Sequence, residues 1–363
     1  MDIFRVAKSS DIDAIFAITS NAGAGLSTVP KTIEAVDKYV SSTKSFMAGN
    51  HKENSVLFVL EVGGRIVGIS GIIVQSDAIC PFWSFEHKTI KPNRVGSAIS
   101  PEHEILQLSS KFSGYSELGT LLLSPQALGK GYGKLLSLGR LAFINEHRSA
   151  FNKKLMADIR GWQDEQGVSP FWTGLSSRFI NVPFDKAEFL LSRDKDFLPN
   201  AIPSDLIYLQ LLDKQVRACI GKANDNSMGA IKLLRSAGFS VTNFCNVLDG
   251  GPALECLALE TVVAKTQTVV RSFSSTVPAE RTLQYSGTGY EFRAAIGHAD
   301  IENGVLSEDA KVNFPDFQSS PIKLSKLSMP SQQNEVNVKQ RVCLLYTSPS
   351  PRDRTRSRMP SSA

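Results

Sequence analysis

Apolar positions along this chain recur at two periods, and the switching between them sets out the N-terminal half. Phe4 to Ala7 reads as a short strand, and Ser9-Ser10-Asp11 offers an N-cap to a helix with apolar positions at Ile12, Ile15, Phe16 and Ile18. Ser55 to Gln75 reads as a hairpin turning at Gly63-Gly64. Ser116 to Leu123 is a further strand. Lys134 to Arg148 then carries Leu135, Leu136, Leu138, Leu141, Ala142 and Ile144 on the broad apolar face of a helix, and Lys154 to Arg160 returns to strand character. Later, Val262 to Leu327 is richer in Thr, Val and Ser, with alternating pieces such as Tyr290 to Ile296, and reads as a small β-rich appendage. Residues from Ser328 onward read as disordered.

The join between the strand ending at Leu123 and the next helix carries the chemistry. After Pro125 come Gly129, Gly131 and Gly133 at alternate positions, beside Lys130 and Lys134. Glycines at a loop-to-helix junction leave backbone N–H groups pointing at one spot, where the helix dipole favours an anion. A phosphate-binding P-loop would need Ser or Thr after Gly133-Lys134, but Leu135 stands there. The dinucleotide fingerprint needs a different glycine spacing. A ligand-free glycine turn also fits this spacing, as does the pyrophosphate loop of an acyl-CoA enzyme. In the last case Gly131 and Gly133 are the paired glycines, and Gln126-x-x-Gly129-x-Gly131 satisfies the same pattern two residues earlier.

Bulk properties narrow the class. The chain has 363 residues, enough for two domains, and an ordinary 42% apolar fraction. It has no run of apolar residues long enough to span a membrane, and the charges in Met1 to Lys8 argue against a secretory signal. The five cysteines are scattered, with no zinc or disulfide spacing, so a cytoplasmic home and no metal are expected. The net charge is +5, but Arg352, Arg354, Arg356 and Arg358 against Asp353 place +3 of it in the last stretch, so no nucleic-acid partner is expected. That stretch, 343–363, reads as non-native sequence from assembly read-through.

The order of strand, helix, hairpin, strand, glycine loop, helix and strand resembles the GNAT acyl-CoA N-acyltransferases. Asn226 to Phe239, ending in Gly238-Phe239, resembles the helix that follows in that fold, but it lies well beyond the usual interval. The fold class expected is therefore α/β (α+β), with tandem GNAT-like acyl-CoA N-acyltransferase units and a small β-rich C-terminal appendage. The first unit, with the coenzyme A pyrophosphate loop, is expected over 1–183. A degenerate second unit is expected over 184–262, a β-rich module over 263–327 and a tail over 328–363.

More specific motifs are Ala22-Gly23-Ala24-Gly25-Leu26-Ser27, Ser116-Glu117-Leu118-Gly119-Thr120-Leu121, Arg160-Gly161 with Asp164-Glu165, and Ser169-Pro170-Phe171-Trp172. Phe184-x-x-Ala187-x-Phe189-Leu190 and Asp249-Gly250-Gly251-Pro252-x-Leu254-Glu255-Cys256 follow in order. Together they resemble the arginine N-succinyltransferase family from about residue 3 to 262. The resemblance implies transfer of succinyl from succinyl-CoA, a co-substrate rather than a prosthetic group, to the α-amino group of L-arginine. It further implies that Leu121 contacts the thioester arm. The family's proton donor is a His after an Ile-Gly step, but here Ile220-Gly221-Lys222-Ala223 leads to Asn224. An amide cannot exchange a proton at a useful pKa, so Glu117 and Asp225 become candidate bases beside Asn224.

Gly129, Lys130, Gly131, Gly133 and Lys134 are the expected coenzyme-binding residues. Asp249 and Glu255 are candidates for the guanidinium of arginine, and Arg160 and Arg178 for carboxylates. A homo-oligomer, or a hetero-oligomer with a paralogous subunit, is expected. Two alternatives are a GNAT acyltransferase for another amine or acyl-CoA, and a catalytically impaired CoA-binding subunit.

Overall fold

The computed structural model describes residues 2–20, 28–51, 54–74, 81–91, 102–191, 194, 196–276, 280–315 and 319–329. The Ala22–Ser27 motif and the tail from residue 330 lie outside the described residues.

From the N-terminus, β1 (Asp2–Val6) leads through α1 (Ile12–Thr19) and α2 (Ile33–Met47) to the hairpin β2 (Ser55–Val62) and β3 (Arg65–Val74). A second hairpin, β4 (Ser84–Ile90) and β5 (His103–Ser109), precedes β6 (Ser116–Leu123), α3 (Tyr132–Glu146) and β7 (Lys154–Asp158). A helical stretch follows with α4 (Pro170–Gly174), α5 (Phe184–Leu191), α6 (Phe197–Ala201), the short β8 (Ile207–Tyr208) and α7 (Lys214–Cys219). Next come α8 (Met228–Ser236), β9 (Ser240–Asn246), β10 (Pro252–Leu257) and α9 (Val262–Thr266). The C-terminal strands are β11 (Thr268–Val269), β12 (Ser272–Ser274), β13 (Arg281–Ser286), β14 (Arg293–Asp300), β15 (Val305–Ser307) and β16 (Lys323–Ser325).

The strands run β11-β16-β13-β14-β1-β2-β3-β6-β7-β10-β9-β4-β5-β8 through one sheet, with β12 and β15 at its side. Along that path every described pair is antiparallel except β6 with β7. A parallel pair needs a crossover element, and α3 supplies it. Strands from all three expected segments, 1–183, 184–262 and 263–327, join this sheet. The Asn226–Phe239 motif leads directly into β9, which pairs with β10, and β10 pairs with β7. The helical stretch between β7 and α8 accounts for the long interval seen in the sequence. The order β1-α1-α2-β2-β3-β6-α3-β7-α8-β9-β10 is GNAT-like. The β4–β5 hairpin, absent from the sequence expectation, crosses to the far edge and pairs with β9.

Each face of the sheet is covered. Leu135, Leu136, Leu138 and Leu141 of α3 pack with Phe4, Phe58, Ile72, Leu118, Leu155 and Ala157, and Leu234 and Phe239 join them. On the other face, Ile15, Val36 and Val40 pack on Leu57, Val59 and Ile69. A separate cluster sets Phe171, Trp172, Leu175 and Val216 against Phe85, Leu106 and Cys245. In the C-terminal module, the strand expected at Tyr290 begins at Arg293 instead, because Gly289–Glu291 forms a 3-10 turn. No helix among the described residues is long and apolar enough to cross a membrane.

Candidate active site

β6 meets β7 at two described register positions, Ser116 with Leu155 and Glu117 with Met156. Past them β6 pairs only with β3, while β7 pairs with β10. From Leu118 onward β6 therefore has a strand partner on one side, and its other edge offers backbone donors and acceptors to a ligand.

At the same point β6 is distorted. Thr120 and Leu121 stand opposite the single residue Ser70, and Thr120 takes a φ of 55°. A β-branched residue in the left-handed region costs on the order of 1–3 kcal/mol and persists only where its surroundings impose it. Here they do. The Thr120 N–H donates to Thr28 Oγ1 at 2.9 Å, and its hydroxyl donates to the Thr28 carbonyl at 2.8 Å. Tyr39 Oη lies 3.3 Å from the same hydroxyl, and burial pushes its phenol pKa up. Arg140, in α3 and 3% exposed, donates to the Gly119 carbonyl at 2.9 Å and the Gly71 carbonyl at 3.4 Å. Burial lowers its pKa to about 10, which leaves the guanidinium charged at neutral pH.

The end of β6 leads into the glycine loop. Pro125–Ala127 makes a single 3-10 turn, and Gly129 and Gly131 follow at φ 76° and 83°. Gly131 is the N-cap of the fifteen-residue α3, whose first turn holds no acidic side chain. Gly133 is helical, and a Cβ there would meet Leu233 at an ordinary 3.6 Å. The backbone thus requires glycine at 129 and 131, rather than at the expected pair 131 and 133. Lys130 is exposed and Lys134 half-buried beside this N-terminus, a suitable arrangement for a pyrophosphate.

Strand alternation arranges the groups across from Leu121. Leu155, Ala157 and Ile159 enter the core with α3. Met156 therefore faces the other side, with Asp158 and, two residues past the strand, Arg160. Asp158 accepts a hydrogen bond from Asn246 Nδ2 at 2.5 Å, while its Oδ1 is buried without a partner. Burial, then the charges of Asp249 and Glu117, push its carboxyl well above the ordinary range. Glu117 itself is 7% exposed on β6. Asp249 is also raised by burial, an effect partly offset by bonds from the N–H groups of Gly161 at 2.8 Å and Gly251 at 2.9 Å. Asp249 thereby locks the Gly250-Gly251 turn onto β7. A Cβ on Gly251 would stand 1.9 Å from the Ile159 carbonyl oxygen, which explains the glycine.

Of the residues singled out in the sequence, the structure gathers Glu117, Arg160, Asn224 and Asp249 around the end of β7. Asn224, 8% exposed, donates its N–H to the Arg160 carbonyl at 2.9 Å, and its Oδ1 accepts from the Asn226 N–H at 3.0 Å. Asp225 and Arg178 are exposed. Glu255 binds Tyr115 Oη at 3.0 Å and Lys111 Nζ at 3.1 Å, so both its oxygens are engaged. Asp249 likewise spends both oxygens on backbone. Each of these four oxygens thus already accepts one bond, and Glu255 is the more exposed of the two carboxylates.

Sequence reading missed Asp158, Thr28, Tyr39 and Arg140. A lone Asp closing an apolar strand, and a lone Arg inside the apolar face Leu135 to Ile144, were the available signals.

The family model described as arginine N-succinyltransferase beta subunit matches residues 2–262. An arginine N-succinyltransferase of Escherichia coli O17:K52:H18 is 32% identical over 269 residues, 70% of this chain and 76% of that protein. One from Salmonella paratyphi B is 30% identical over 322 residues, 84% of this chain and 91% of that protein. Among solved structures, the arginine/ornithine succinyltransferase subunit AI from Pseudomonas aeruginosa aligns with a TM-score of 0.79 at 24% identity. That alignment covers 91% of this chain and 99% of that one, and it speaks for the fold. Matched by its family model over most of its length, the chain belongs to the arginine N-succinyltransferase family.

Proposed function

We propose that this protein transfers the succinyl group of succinyl-CoA to the α-amino group of L-arginine by direct aminolysis. The observation that carries this reading is the bulge at Thr120–Leu121, set where β6 parts from β7 and one turn ahead of a glycine-capped helix. The helix N-terminus, with Lys130 and Lys134, takes the pyrophosphate. The pantetheine arm then runs along the open edge of β6 and brings the thioester to Leu121.

Holding the two substrates side by side supplies several kcal/mol of the barrier reduction. The amine nitrogen attacks the thioester carbonyl carbon. Its proton passes to a carboxylate, with Glu117 the first candidate through a water relay, and the Leu121 backbone N–H, rather than that of Thr120, which Thr28 holds, stabilises the oxyanion. The C–S bond then breaks, the amide forms, and the coenzyme A thiolate leaves and is protonated.

Asn224 favours a second reading, a CoA-binding subunit of impaired catalysis, because its Oδ1 accepts from the Asn226 N–H and an amide is neither acid nor base near neutral pH. Thiol release from succinyl-CoA with and without arginine tests both. Arginine-dependent release is expected. Clear coenzyme A binding with no release for any amine would sink the transferase reading, and a large gain in Asn224→His would show that a missing proton donor limits the rate.

A further inference from the structure

Among the described residues Arg160 carries a guanidinium that no carboxylate claims; Arg140 also lacks one, but it is 3% exposed and its Nη1 donates to the Gly119 and Gly71 carbonyls. Glu117 and Asp249 both lie within electrostatic reach of Asp158. Arg160 lies close enough to Asp249 to hold that carboxyl's pKa down, yet among the described residues it forms no ion pair. Its Nη2 donates to Gln163 Oε1 at 2.6 Å, and its Nε is buried with no partner. Its main chain is fixed from both directions, since its carbonyl accepts from Asn224 and the next residue, Gly161, bridges to Ala223. An arginine held this way keeps one edge of its fork pre-set, and that edge matches the two oxygens of a carboxylate. A buried N–H without a partner in the apo protein gains a full hydrogen bond when a ligand arrives.

We propose that Arg160 is the carboxylate-docking residue of the active site, positioned by Gln163 and Asn224. This rests on the transferase reading, in which both substrates carry a carboxylate. They are the distal carboxylate of a dicarboxylic acyl-CoA and the α-carboxylate of the amino-acid acceptor. Lys130 and Arg178 are poorer candidates, since both are exposed and neither has a buried donor left open.

Binding, rather than turnover, separates the two sources. By calorimetry, the full chain is compared for S-(3-carboxypropyl)-CoA against S-butyl-CoA, and for arginine against agmatine. In the wild-type chain one of these pairs should show a preference of about 10- to 100-fold for the carboxylate, the worth of one charge-assisted hydrogen bond. That ratio should fall to near one in Arg160→Gln and recover in part in Arg160→Lys, which keeps the charge but not the fork. The Lys variant also serves if the Gln variant fails to fold. The proposal is overturned if neither pair shows a preference in the wild-type chain, or if a preference survives both substitutions. Failure of the transferase reading shows separately, as absent thiol release, and leaves these ratios decisive.

Discussion

Thr120 gives both of its donors to one residue, Thr28: N–H to Oγ1 at 2.9 Å and hydroxyl to carbonyl at 2.8 Å. This pair ties the strained bulge of β6 to the connection between α1 and α2. Thr28→Val keeps the shape and removes the acceptor for a buried N–H, at a cost of about 1–3 kcal/mol. We expect a lower melting temperature together with at least a tenfold fall in kcat, while KM for the acyl donor moves little. A loss of melting temperature alone, with kcat unchanged, would make the pair purely structural.

The glycine loop yields a contrasting pair. Gly131→Ala forces a Cβ into the left-handed region at the N-cap of α3, which costs about 1–2 kcal/mol and should weaken coenzyme A binding. Gly133→Ala meets only ordinary contact with Leu233 and replaces a helical glycine, so it should be neutral or stabilising by up to about 1 kcal/mol. Thermal unfolding and coenzyme A titration of the two variants, side by side, check the assignment.

Asp158 makes a prediction with a definite sign. Its raised pKa means the folded protein favours the neutral carboxyl. Its contribution to stability is therefore fully present below the ordinary Asp range near ~4 and is lost as pH rises through the elevated folded value. Asp158→Asn cannot ionise and retains the contact to Asn246. The melting temperature of the variant relative to wild type should rise steadily from pH 5 to alkaline pH. A difference independent of pH would mean that Asp158 is ionised in the fold.

His147 works in the opposite direction. Its Nδ1 lies 3.0 Å from the Phe143 carbonyl and Nε2 accepts from the Gly289 N–H at 3.1 Å, a pairing that only the neutral ring can make. Burial accordingly lowers its pKa. This contribution is present above the unfolded value near ~6.5 and is lost as pH falls below it. Melting curves should show wild type losing stability between pH 7.5 and 5.5, with a shallower loss in His147→Gln.

What the sequence made legible was local. The strand Ser116–Leu123, the glycine loop and the apolar face of α3 follow from neighbouring residues and their periods, and each appears within a residue or two of where it was expected. What escaped depends on pairing. The left-handed Thr120 arises from a register slip against β3, which no run of eight residues announces. The polar β4, with Glu86, His87 and Lys88, becomes a strand only because β9 and β5 flank it. The role of Asp249 likewise appeared only when Gly161 arrived from a distant part of the chain.

β1 lies between β2 and β14, so the first strand of the chain receives its second neighbour from residues near 293 and 294. During synthesis that edge is exposed for as long as it takes to make almost three hundred further residues, and contacts of such long range are slow to form. Refolding should therefore show a late phase in which β14 closes onto β1. Truncation before Arg293 would leave the β1 edge open, inviting β-augmentation or aggregation. The C-terminal strands thus act as an intramolecular cap on the edge of β1.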